Sequence, residues 1–118
     1  QNARLQVLDD QLQALRDQTF GMGQTFQNVT ASRVFDLTAY TNTTSRAIVI
    51  YIGYNLAGSG LVEVQLRAPG GSVWMPGVVG CWATSISGMT TSCVIPPGAS
   101  YRMQKGSACT ITHVYEYR

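Results

Sequence analysis

The spacing of apolar residues changes period once, close to Phe20, and that change divides the chain into two parts of different character. Leu5, Leu8, Leu12 and Leu15 fall three, four and three residues apart, and Thr19 and Met22 continue the series. Such spacing marks the a and d positions of a heptad, a seam narrower than the stripe by which a helix packs on its own globular core. With Leu5 at a, Arg4 lies at g and Asp9 at the following e, where the two can bridge neighbouring parallel chains. Ala3, Gln6, Asp10, Gln13 and Asp17 lie off the seam and are mostly polar. A single helix this short is marginal in water. The seam therefore predicts association with copies of itself, against the competing expectation that the helix folds back on the rest of its own chain. Leucine at both a and d leaves the number of strands open.

Phe20-Gly21-Met22-Gly23 predicts the helix stop, because two close glycines supply the left-handed conformations of a C-terminal cap. Phe20 and Met22 are placed to plug the end of a coiled coil. Residues 1–20 thus read as a stalk and residues 21–118 as a head. From Gln24 onward the period is two. Short β-type segments are predicted at Thr25–Val29 and Val34–Tyr40, followed by a polar turn up to Arg46 and a long strand to Tyr54. That strand is apolar on both faces, as in a central strand or one covered by a neighbouring subunit. Asn55–Gly60 reads as a loop joining it in a hairpin to Leu61–Arg67. In Leu61–Arg67, Val62, Val64 and Leu66 point inward and Glu63, Gln65 and Arg67 outward. Ala68-Pro69-Gly70-Gly71 is a tight turn. Further strands are expected at Ser72–Met75 and Val78–Ile86, broken by Pro76-Gly77, then at Ser92–Ile95, Ser100–Met103 and Cys109–Tyr117, with a loop at Ser87–Thr91. In the last strand, Cys109, Ile111, His113, Tyr115 and Tyr117 are expected on one face. Turn signals at this spacing predict a small antiparallel β-sandwich.

Composition agrees with a mainly β chain: 118 residues, 12% charged, with 12 glycines. The net charge of +2 is spread along the sequence and leaves no electrostatic footprint for nucleic acid. No apolar run approaches the length of a membrane-spanning helix, so no membrane insertion is expected. A chain that begins at Gln1 without a signal peptide reads as a piece or processed product of a longer protein. Three cysteines, Cys81, Cys93 and Cys109, do not close a disulfide framework. Three reduced, mostly buried thiols are expected, with a Cys81–Cys93 bridge as the alternative.

Four segments resemble the distal domain of tail fibres from tailed bacteriophages: GMGQTFQNVTASR (Gly21–Arg33), YTNTTSRAI (Tyr40–Ile48), VIPPGASY (Val94–Tyr101) and the terminal VYEYR (Val114–Arg118). Phe26, Ser45, Ala47 and Val114 depart from the residues usual in such domains. The middle, Val49–Cys93, carries no matching motif. The resemblance implies a homotrimeric fibre tip on a virion, joined to the rest of the tail fibre, with a coiled-coil stalk and β-sandwich heads. It implies non-covalent binding to a host-cell surface receptor, either a glycan or an outer-membrane protein. The alternative it leaves open is a structural trimerisation or capping module that leaves recognition to another domain.

Catalytic patterns are sparse. Asp9, Asp10 and Asp17 lie on the stalk, so Asp36, Glu63 and Glu116 are the carboxylates of the head. Nothing in their spacing favours the paired geometry of a glycosidase. His113 alone is a weak basis for a triad. The cysteine spacing lacks C-x-x-C, and neither metal nor cofactor is expected within one chain, although three copies of His113 could meet on a symmetry axis. Asn28-Val29-Thr30 and Asn42-Thr43-Thr44 are formal glycosylation sequons whose turn role is sufficient reason for them. For receptor binding the candidates are Tyr54, Asn55, Trp74 and Trp82, aromatic and polar residues of the unmatched middle. Leu5, Leu8, Leu12 and Leu15 are the candidate stalk contacts. The competing role for the two tryptophans is to fill the sandwich core.

Overall fold

The computed structural model describes residues 2–82 and 84–118, with Trp82 described by its backbone alone. Among the described residues, one α-helix, α1 (Asn2–Gln18), precedes eight strands: β1 (Phe26–Asn28), β2 (Tyr40–Thr41), β3 (Ile48–Leu56), β4 (Gly60–Arg67), β5 (Met75–Trp82), β6 (Ile86–Ile95), β7 (Ser100–Lys105) and β8 (Cys109–Tyr117). The strands form two antiparallel four-stranded sheets. Sheet A has the order β1-β8-β3-β6 and sheet B the order β2-β7-β4-β5. One core lies between them: Ile50, Ile52, Ile95 and Val114 from sheet A meet Val62, Val64, Tyr101 and Met103 from sheet B.

No residue of α1 is buried. The helix stands off the sheets, and the molecule measures 66 × 31 × 21 Å. Leu5, Leu8, Leu12 and Leu15 are 54–66% exposed, so the helix does not fold back on its own sandwich. Asp10 and Asp17 on its polar side accept hydrogen bonds from Gln6 and Gln13 one turn earlier, at 2.9 and 2.8 Å. The helix ends at Gln18, one residue short of the expected Thr19 and ahead of the stop at Phe20–Gly23. Thr19 turns its hydroxyl back onto the carbonyl of Leu15, and Gly21 and Gly23 take positive φ of 89° and 72°.

The end of α1 is held by the head. Arg46 donates from one guanidinium nitrogen towards the carbonyls of Arg16, Thr19 and Met22, and Ser45 donates to the carbonyl of Asp17. A cation at this position offsets the partial negative charge of a helix C-terminus. Gln24, buried, accepts from the Gly21 amide and donates to the carbonyls of Ala47 and Tyr117, which fixes the direction of the chain as it enters sheet A.

Three Asx-x-Thr steps then carry the chain around the sandwich. In Asn28-Val29-Thr30, Asp36-Leu37-Thr38 and Asn42-Thr43-Thr44, the first side chain accepts from both the amide and the hydroxyl of the threonine two residues on. Asn42 is 2% exposed, and its amide also donates to the carbonyls of Arg46 and Ile95. All its polar atoms are thereby satisfied, which a buried amide requires. These local turns compete with strand pairing. Val34–Tyr40, expected as a strand, is accordingly mostly loop, with one bridge from Asp36 to Gln104.

The expected β3–β4 hairpin does not form. β3 pairs with β6 and β8 in sheet A, while β4 pairs with β5 and β7 in sheet B, and Ala57–Ser59 crosses between the sheets. β3 is apolar on both faces because it is central, as its composition requires. Pro76 does not interrupt β5, which is an edge strand and shifts register opposite Val64/Gln65, where a missing N–H is tolerated. The loop expected at Ser87–Thr91 lies inside β6, paired along β3.

Candidate functional site

The two outer faces of the sandwich differ in chemistry. On sheet A the register sets Phe26, Tyr117, Val49 and Val94 side by side across all four strands. Tyr115, Tyr51 and Ser92 form the next row, and His113, Gly53 and Thr90 the row after. Phe26 packs on Tyr117 and Tyr51 with ring centroids 4.9 and 5.4 Å apart, and is still 61% exposed. Val94 is 53% exposed. Phe20, at the foot of the helix, meets Tyr117 edge-on at 5.7 Å. An aromatic surface thus runs unbroken from the end of α1 across sheet A, and ends in a groove of about 390 Å³ lined by Phe26, Tyr51, Thr90, His113 and Tyr115. Contiguous apolar surface of this kind marks an interaction site.

His113 lies flat against Gly53, where a Cβ would fall 2.1 Å from its ring. It contacts Tyr115 at 5.5 Å. A register shift between Gly53 and Tyr54 corrects the expected facing of β8. Cys109 and Ile111 point to the core opposite Leu56 and Tyr54, whereas His113, Tyr115 and Tyr117 point outward, and Val114 and Glu116 inward. The bulge reverses alternation midway along the strand, so the five residues do not share one face.

Glu116 therefore lies inside, 2% exposed. Arg33 reaches it from the loop after β1, with Nη2 2.7 Å and Nε 3.1 Å from Oε2, and also donates to the Tyr101 hydroxyl at 2.8 Å. The Tyr101 hydroxyl donates to the same carboxylate oxygen, and Arg118 approaches the other oxygen at 3.4 Å. Arg33 also stacks over Tyr40 at 4.4 Å. Burial pushes the Tyr101 phenol well above its ordinary value, and its hydrogen bond to Glu116 adds to the shift. For Arg33, burial opposes the charge, but its bonds to Tyr101 and Glu116 outweigh that and raise its pKa. The cluster ties β8 of sheet A to β7 of sheet B. Its members, Arg33, Tyr40, Tyr101, Glu116 and Arg118, come from four separate stretches of the chain.

Where β4 meets β7 the outer face of sheet B is polar, as the alternation in β4 requires, while Leu61 and Val79 are exposed further along it. Gln65 faces Arg102, Glu63 faces Gln104, and Arg67 faces Ser100. Gln65 and Gln104 donate to the Glu63 carboxylate, and Arg102 donates through Nε to Gln65 at 2.7 Å. Trp74, just before β5, packs on both guanidiniums, with Arg102 4.2 Å and Arg67 4.6 Å from the indole centroid.

Among the receptor-binding candidates, Tyr54 is withdrawn from the surface. It is 2% exposed, in the core, its hydroxyl against Gly80, because it lies on the inward side of β3. Asn55 accepts from the Gly88 amide at 2.8 Å and lines a cavity of about 370 Å³ with Ala57, Ser85 and Ser87. Trp74 is half-buried on sheet B, at the opposite side of the sandwich from the aromatic face. The side chain of Trp82 lies outside the described residues. Arg67, Arg102 and Phe26 were not singled out as binding residues from sequence. Outward alternation in β4 pointed to Arg67, but only sheet pairing brings Arg102 beside it. The cysteines are all free, Cys81 exposed and Cys93 and Cys109 buried. Asp36 is exposed and held by Thr38, whose hydroxyl lowers its pKa. No protein-family model matches the chain, and neither does any curated protein sequence.

Proposed function

We propose that the chain is the distal part of a bacteriophage tail fibre, gathered into a homotrimer by its helix, and that its heads bind a host-cell surface receptor without covalent chemistry. The observation that carries this reading is the detached helix with its single exposed leucine seam. Each leucine that passes from about half exposed to buried contributes about 1–2 kcal/mol, so the seam gains little until copies meet. The aromatic surface of sheet A continues from the foot of the helix and supplies the contact between heads. Sheet B then faces outward. The likeness of the four segments to tail-fibre tips, whose residues here build caps, turns and the Arg33–Glu116 cluster, supports the setting on a virion. Three identical heads on one stalk gain avidity from a repetitive cell surface.

Sedimentation equilibrium at micromolar concentration tests the assembly. A mass of three chains is expected, and L8Q/L12Q is expected to dissociate it. Adsorption tests the role: the purified chain is expected to bind intact host bacteria and block phage attachment. A monomer that ignores a panel of bacteria overturns the proposal.

A further inference from the structure

We propose that Trp74, Arg67 and Arg102 form a binding site for an acidic sugar, a pyranose bearing a carboxylate or phosphate, on the outer face of sheet B. The inference rests on the fibre-tip reading and specifies a ligand class that it leaves open. Its starting point is charge. Among the described residues, Arg33 and Arg118 pair with Glu116, and Arg46 caps the helix. Arg67 and Arg102 have no carboxylate within salt-bridge distance, although they are diagonal neighbours on one sheet face. Diagonal neighbours on one face lie within reach of each other's long side chains, so the two cations repel. The one nearby carboxylate, Glu63, is engaged by Gln65 and Gln104, and Gln65 stands between it and Arg102.

The donors are also free in number. Arg102 commits its Nε to Gln65, and Arg67 makes one long bond, 3.5 Å, to the Ser100 hydroxyl. Each guanidinium carries five N–H groups in a planar fork suited to a carboxylate or phosphate. The indole, half-buried, holds both forks in place, which lowers the entropy lost on binding, and the part of it left exposed is the apolar contact a sugar ring would use. The side chains of Gln65 and Gln104 continue the polar row along the strands. An anion here would remove the repulsion between the two arginines. Two neighbouring cations with no carboxylate between them are the kind of local conflict expected at a functional site.

The test uses the full chain and follows the indole N–H of Trp74 by NMR, assigned against W74F. It is titrated at constant ionic strength with glucuronate, glucose 6-phosphate, glucose and inorganic phosphate. At least one acidic sugar is expected to bind saturably, roughly tenfold or more tighter than both glucose and inorganic phosphate. The acid that binds identifies the substituent. R67Q/R102Q is expected to lose that preference, and R67K/R102K, which keeps charge but not the fork, to weaken it by roughly threefold or more. If neither acid exceeds the two controls, or if R67Q/R102Q binds as before, the proposal is overturned. Should R67Q/R102Q fail to fold, the comparison of ligands on the unsubstituted chain still decides. A trimer that blocks adsorption yet ignores both acids refutes the sugar site alone. Acid binding by a monomer that never adsorbs refutes the fibre-tip reading and leaves the site standing.

Discussion

Arg33→Met removes the guanidinium from a carboxylate that has almost no access to water. Glu116 would keep the Tyr101 hydroxyl on one oxygen and Arg118, 44% exposed, at 3.4 Å from the other. Removing one partner of a buried pair costs about 3–5 kcal/mol, because the remaining charge stays desolvated. Arg118 is a distant, solvent-screened substitute, so it offsets only a small part of this. The lost stack on Tyr40 adds about 0.5–1 kcal/mol. The expected total is about 3–5 kcal/mol, a fall of about 10–20 °C in Tm for a chain of this size. Urea unfolding and calorimetry at fixed protein concentration measure both, the concentration being held because any self-association raises apparent stability. R33M/E116Q removes the stranded charge while leaving Tyr101 an acceptor, and is expected to cost about 2 kcal/mol less than the sum of the single changes. A loss under about 1 kcal/mol for R33M, or strict additivity in the pair, would refute the view that this cluster clamps the two sheets.

Tyr101 makes stability sensitive to alkali. Its folded pKa lies above the ordinary 10.0, so from about pH 10 upward the unfolded chain loses a proton that the native state keeps. Stability is therefore full below that pH and declines above it, by up to about 1.4 kcal/mol per pH unit. Y101F should show a flatter decline in urea titrations across the same range. Gly80→Ala places a Cβ 2.3 Å from the Tyr54 hydroxyl and 3.0 Å from its ring carbon, inside the core. A loss of about 1–3 kcal/mol is expected, and Y54F/G80A should recover part of it in chemical denaturation. With a chromogenic disulfide reagent at pH 8, Cys81 should react at once, and Cys93 and Cys109 roughly a hundredfold more slowly. Burial raises the pKa of both of those thiols.

Periodicity served well wherever local pattern and tertiary demand agreed. The N-terminal helix, the inward Val62–Val64–Leu66 series and the two-sided apolar β3 all appear as their spacing suggests. It failed where one residue changed the count or the partner. The bulge opposite Gly53 cannot be seen in ACTITHVYEYR, yet it turns His113 outward and Glu116 inward. Pro76 looked like a break, but an edge strand tolerates it. The β3–β4 connection looked like a hairpin because loop length does not say which sheet the next strand joins. Partners separated by long stretches were illegible for the same reason. Arg33 meets Glu116 across 83 residues, and Arg67 meets Arg102 only through the pairing of β4 with β7. Tyr54 was selected for its neighbouring loop, and strand alternation places it in the core.

The seat of the helix on the head has a mechanical consequence. A pull on the N-terminal end travels down α1 and arrives at Arg16, Asp17, Thr19 and Met22, whose carbonyls are gripped by Arg46 and Ser45. Those two side chains sit in the turn that Asn42 anchors from within, tied to Ile95 at the end of β6. Tension is thus delivered into the body of the sandwich over several bonds at once, and the glycines of the bend are spared from carrying it alone.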